Sequence, residues 1–118
     1  MAVFTARATY LRIAPRKVRL VAALIRGKKV AEARTILQFA VKRASPMLNH
    51  LLASAVANAE SLAAEKRERI NTDDMVVGTV FVDGGPTLRR FQPQPRGRAS
   101  RIRKRTSHVT LSIMDAAK

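Results

Sequence analysis

The sequence predicts a small mixed α and β fold in which a strand, three helices and a strongly basic β-hairpin follow one another. Three observations carry this. Apolar residues recur at helical spacing between residues 18 and 63, and the period then switches to two. The stretch joining the last two strands is rich in Gly, Pro and Arg and holds no acid. At 118 residues the chain has the size of one domain, 1–118. Within it, 1–83 and 103–114 are expected to form the globular part, and 84–102 an extended basic hairpin arm with its tip.

Residues 3–13, VFTARATYLRI, are rich in β-branched and aromatic types and predict the first strand. Pro15 suits the first position of a helix, where its missing N–H costs nothing. Val18, Val21, Ala22 and Ile25 then share one helical face, and Gly27 stands where a C-terminal cap belongs. A second stripe follows in Val30, Ala33, Leu37, Ala40 and Val41. Ser45-Pro46 predicts the N-cap and first turn of a third and longest helix. Its apolar side is Met47, Leu48, Leu51, Leu52, Ala55, Val56, Ala59, Leu62 and Ala63, and its alanines allow close packing.

Beyond residue 70, MVVGTVFVD (75–83) and HVTLSIM (108–114) read as strands. In the second, Val109, Leu111 and Ile113 face one way, and His108, Thr110 and Ser112 the other. Between them, Gly84, Gly85, Pro86, Pro93, Pro95 and Gly97 accompany eight bases between residues 89 and 105. A structureless connection of that length is uncommon in a compact domain unless it is functional. Two antiparallel strands joined this way make a long hairpin, with Leu88, Phe91 and Ile102 as its only sizeable apolar residues. Isolated two-stranded hairpins are marginal, so the arm takes its order from a partner.

The charge names that partner's chemistry. The formal net charge is +15, with 23 Lys and Arg against 8 Asp and Glu. Eight bases fall in residues 1–30 without an acid: Arg7, Arg12, Arg16, Lys17, Arg19, Arg26, Lys28 and Lys29. Residues 31–65 balance to zero, and 84–118 set nine bases against Asp115 alone. A charge meant only for solubility is interspersed, because like charges repel. Arginine outnumbers lysine, and its planar fork suits phosphate. The arm's bases, the N-terminal bases and His108 are therefore candidate nucleic-acid contacts.

Other functions find no foothold. There is no cysteine, which excludes disulfides and thiolate chemistry. No apolar run reaches the ~18 residues of a membrane span, and no signal peptide opens the chain. Neither His50 nor His108 has acids at metal or triad spacing, and Asp73-Asp74 reads as turn chemistry. No cofactor, metal or catalytic residue is expected, so the reading is not an enzyme. The alternative is a winged-helix-like DNA-binding protein, since three helices and a basic hairpin is its layout. That fold needs a third helix that reads base edges, yet residues 46–65 contain no Lys or Arg.

Three stretches carry a resemblance. PRKVRLVAALIRGKKVAEA (15–33), ANAE (57–60) and FVDGGPTLRRFQPQPRGRASRIRKRTSHVTLSI (81–113) resemble the bacterial L-twenty-two family of large-subunit ribosomal proteins. The most specific part is Gly97-Arg98-Ala99, then Arg105-Thr106-Ser107-His108 and an alternating strand. The resemblance implies an α+β fold: three helices packed on a small antiparallel three-stranded sheet, with a long extended β-hairpin. It implies a structural constituent of the large subunit that binds its ribosomal RNA and aids assembly, with the hairpin lining the peptide exit tunnel near the constriction.

Carried over by position, the tunnel tip is Leu88, Arg89, Arg90, Phe91, Gln92, Pro93, Gln94, Pro95 and Arg96, and it faces the nascent peptide. The returning arm, with Arg98, Arg101, Arg103, Lys104 and Arg105, is implied to contact RNA. Neighbouring large-subunit ribosomal proteins are further implied partners, with no membrane and no homo-oligomer. The implied location is a bacterial ribosome in the cytoplasm. The family usually carries Arg-Ala where this chain has Gln94-Pro95, so the tip has one charge fewer and a stiffer turn.

Overall fold

The computed structural model describes residues 3–67 and 71–114. The strands β1 (Val3–Leu11), β2 (Val76–Gln94) and β3 (Arg98–Met114) form one antiparallel sheet in the order β1-β3-β2. Between β1 and β2 lie the helices α1 (Pro15–Ile25), α2 (Val30–Phe39) and α3 (Ala44–Glu65) and a single 3-10 turn at Thr72–Asp74. This is the α+β arrangement that the sequence implies. The molecule measures 67 × 26 × 19 Å, far longer than it is wide.

The core explains the three helices. α1 starts at Pro15 and buries Val18, Val21, Ala22 and Ile25, as the stripe predicts. Gly27 follows at φ +79°, and its N–H donates to the Val77 carbonyl at 2.8 Å. The link to α2 is then stitched to the start of β2: Val77 donates to Lys28 at 2.9 Å and Val30 to Met75 at 2.8 Å. α3 packs Leu48, Leu52, Ala55 and Ala59 fully out of solvent. Asn58 on α3 donates to the Thr5 carbonyl of β1 at 3.1 Å. Val109, Leu111 and Ile113 of the central strand β3 are fully buried, the alternation read from the sequence.

Several expectations are corrected. α3 begins at Ala44, so Ser45 lies inside the helix and does not cap it. The Ser45 hydroxyl is buried and finds no partner among the described residues. Val41 falls beyond the end of α2 and is 96% exposed, because the chain leaves helical geometry at Ala40. β1 stops at Leu11, short of residue 13, after Tyr10 turns to φ 58° and shifts the register. Both hairpin strands run well past the predicted bounds, to Gln94 and from Arg98.

The hairpin has two halves divided by one irregularity. From Val76↔Met114 to Gly84↔Ser107, β2 and β3 belong to the core sheet. The register then shifts between Gly84 and Thr87, and from Thr87↔Arg105 to Gln94↔Arg98 the ladder runs unbroken. These eight paired positions extend the arm by about 26 Å at ~3.3 Å per residue. The chain reverses at Pro95–Gly97, with Arg96 at φ 64° and Gly97 at φ 72°.

The expected tip is thereby divided. Leu88 pairs with Lys104 at the root of the arm, and only the residues around Pro95 and Arg96 occupy its end. The arm lacks an apolar alternation that would mark its register, so the turn's position was not readable from pattern alone.

Candidate nucleic-acid interface

The root of the arm is held by short polar contacts. Ser107 donates its hydroxyl to the Ile13 carbonyl, tying β3 to the chain just past β1. Thr106 donates to the Pro86 carbonyl at 2.6 Å across the register shift. Gly85 lies against Thr106 and His108 of β3. A Cβ there would stand 2.5 Å from the Thr106 hydroxyl and 3.0 Å from His108 Nε2, so only glycine permits this approach.

His108 itself serves the scaffold. Its Nδ1 accepts the Tyr10 backbone N–H at 3.1 Å. The Tyr10 ring meets it edge to face, with centroids 4.8 Å apart and planes at 89°. The structure places His108, a candidate RNA contact by sequence, as a pin between the β1 irregularity and the arm root.

These fixings bring separate basic stretches together. Arg12 comes from the β1–α1 link and Lys17 from the first turn of α1, Lys42 and Arg43 from the α2–α3 link, and Arg103, Lys104 and Arg105 from β3. They surround a cleft of about 750 Å³. Its floor is Ile13, Ala14, Leu20, Ala44 and Leu88, and among the described residues no acid lines it. A smaller cleft of about 330 Å³ lies where Pro15, Gly84, Gly85 and Thr87 meet Arg89, Arg103 and Arg105. Seven cations around one concavity repel each other, which a polyanion relieves.

Lys42 and Arg43 line the larger cleft, although counting charge by segment passed over them. Residues 31–65 are neutral in sum, but the sum does not cancel in space. Thr72 lies 3.5 Å from Glu60, and Asp73 stands 3.8 Å from Arg34, around the turn that begins β2. That turn is at the end of β2 opposite the arm. The linker position of Lys42 and Arg43, between two helices and away from any acid, was the available signal.

The other sequence-predicted bases are dispersed. Arg19 Nη2 donates to the Val82 carbonyl at 2.9 Å, and Arg26 Nη2 to the Val80 carbonyl at 2.8 Å. They satisfy outward carbonyls of β2, which is an edge strand. Arg7 is exposed on β1 and Arg16 on α1, outside both clefts. Lys28 and Lys29 lie at the far end of α1, roughly 16 Å along its axis from Pro15 at ~1.5 Å per residue. Arg89, Phe91, Gln92, Pro93, Pro95 and Arg96 are exposed along the arm, with Phe91 at 69%. The side chains of Arg90, Gln94, Arg98 and Arg101, also assigned from the sequence, lie outside the described residues.

Comparison with known proteins decides what this geometry belongs to. The profile of the family described as ribosomal protein L22p/L17e matches residues 6–114. The chain belongs to that family. It is 51% identical over 105 residues to large ribosomal subunit protein uL22 of Staphylococcus aureus strain JH9, covering 89% of this chain and 86% of that protein. It is 50% identical over 108 residues to large ribosomal subunit protein uL22 of Acidothermus cellulolyticus, covering 92% of this chain. The match spans only 38% of that longer relative.

Membership in the L22p/L17e family overturns the DNA-binding alternative, and the structure supplies the reason. α3 packs one face on α2 and the sheet, and its residues 46–65 present no Lys or Arg that could reach a base edge or phosphate. Among the described residues, no group of three or more His, Asp or Glu is placed to hold a metal ion, and no helix is long and apolar enough to cross a membrane.

Proposed function

We propose that this ribosomal protein, by its family a structural constituent of the large subunit, anchors to ribosomal RNA through the root cleft and carries its arm into the folded RNA. The observation that carries this reading is the gathering of seven cations from three chain stretches, without an acid, where the arm leaves the core. Phosphates neutralise such a cluster and release counterions, giving affinity that falls steeply with salt. Apart from half-buried Leu88, the described side chains of the arm are exposed, so its ordering free energy comes from RNA packed around it.

Fixed at the root and narrow throughout, the arm reaches about 26 Å from the register shift to the turn at ~3.3 Å per residue. In this reading its end, around Pro95–Gly97, lines the peptide exit tunnel and meets the nascent peptide, while neighbouring ribosomal proteins flank the globular part. Anchoring at the root orders RNA segments that contact the arm, which is how the protein aids assembly. Its role is positional and involves no turnover.

The test is a double charge reversal, Arg103→Glu with Arg105→Glu, in the tagged full chain. Sedimentation of cell lysate at moderate and high salt is expected to move the variant from large subunits to the light fractions, while the parent chain stays with the subunits. Co-sedimentation equal to the parent's would overturn the anchoring role of the root cleft.

A further inference from the structure

The cleft's floor is harder to explain by phosphate than its rim. Phosphates need cations, and the seven rim residues supply them. They do not need Leu20, which stands 62% exposed on α1, nor Leu88, which turns from the arm onto the same floor beside buried Ile13. Leu88 is also the arm's apolar residue nearest the core, and the register places it opposite Lys104, one of the rim cations. A cationic rim over an apolar floor matches an occupant that is anionic on one side and flat and apolar on the other.

We infer that this cleft receives a single unstacked nucleotide of RNA, its base laid on Leu20 and Leu88 and its flanking phosphates held by Lys42, Arg43 and Arg103. The inference rests on the RNA-binding reading above and names the form of RNA the root selects. A paired helix presents phosphates to the rim but leaves the floor wet, because its bases are stacked inside. A bulged nucleotide presents both faces at once, and RNA-binding proteins commonly target bulges and loops whose bases can be splayed out. The volume, about 750 Å³, falls within the ~300–1,000 Å³ of pockets that hold small ligands. Lys42 and Arg43 sit on the link before α3, whose first turn packs Ala44 into the core, so the rim on that side is rigid.

The experiment uses the purified full chain and two RNA hairpins of the same stem, one fully paired and one with a single bulged fluorescent adenine analogue. The bulged hairpin is expected to bind about tenfold tighter at equal salt, and the analogue's emission to change on binding. Leu20→Ser with Leu88→Ser is expected to bring the ratio to about one without altering the salt slope, since no charge is removed. Lys42→Ala with Arg43→Ala should instead weaken both hairpins and lower the slope by about two.

Equal binding of both hairpins by the parent chain would overturn the nucleotide site and leave the phosphate rim standing, with an apolar side chain of a neighbouring protein as the floor's occupant. A preference that survives the double leucine variant would also overturn it. Failure of the parent chain to bind either hairpin or large-subunit RNA would overturn the RNA-binding reading itself.

Discussion

The two halves of one hairpin obey different rules. Below the register shift at Gly84–Thr87, Val77, Val80 and Val82 of β2 and Val109, Leu111 and Ile113 of β3 point into a core closed by three helices. Above it, the same two strands continue with the same antiparallel ladder, yet of the described side chains from Thr87 to Gly97 and from Arg103 to Arg105 all but half-buried Leu88 are exposed. Hydrogen bonds are common to both halves; burial is not. The lower half is stable because it removes apolar surface from water. The upper half has a ladder whose net worth in water is small. Backbone geometry thus sets where the arm points, and burial sets which part of it folds unaided.

This contrast can be broken in measurable ways. The largest effect belongs to the core: Leu52→Ala, at a fully buried position on α3, is expected to cost about 2–5 kcal/mol in urea unfolding of the free chain. A loss below ~1 kcal/mol would mean that α3 does not belong to the same cooperative unit as the sheet. Next comes the boundary. Gly85→Val drives a branched side chain into Thr106 and His108, and is expected to cost about 1–3 kcal/mol by the same measurement. A neutral result would mean that the root opens without disturbing the core. The smallest effect belongs to the arm: replacing 88–104 with a two-residue Asn-Gly turn between Thr87 and Arg105 should change stability by less than ~0.5 kcal/mol. A loss as large as that of Leu52→Ala would abolish the distinction between the halves.

What the sequence disclosed follows the same division. The helices were legible because Val18, Val21, Ala22 and Ile25, or Leu48, Leu51, Leu52 and Ala55, repeat at helical spacing and all are buried. The arm was legible as a departure from that pattern, through Gly, Pro and acid-free charge. Its internal register was not, because no apolar alternation distinguishes Leu88 at the root from Pro95 at the turn. Ser45 looked like a cap on local chemistry, but the packing of Ala44 drew the helix start two residues earlier. The rim lost Lys42 and Arg43 to a count of charge by segment, while Arg19 and Arg26, counted among the candidate contacts, each also hold a carbonyl of β2. Convergence of residues far apart in the chain is a tertiary fact, and composition carries no trace of it.

The sheet order has a mechanical consequence. The strand that returns from the arm, β3, is the central one, bonded to β1 on one side and β2 on the other. A tug on the arm along its axis pulls β2 and β3 together, so the β3 ladder to β1 takes the load. Because antiparallel bonds stand perpendicular to the strands, that load is shared as shear over the core pairings and does not peel them one by one. The arm is in effect a lever mounted on the keel of the sheet, so that strain at its end is borne by the most deeply buried strand in the molecule.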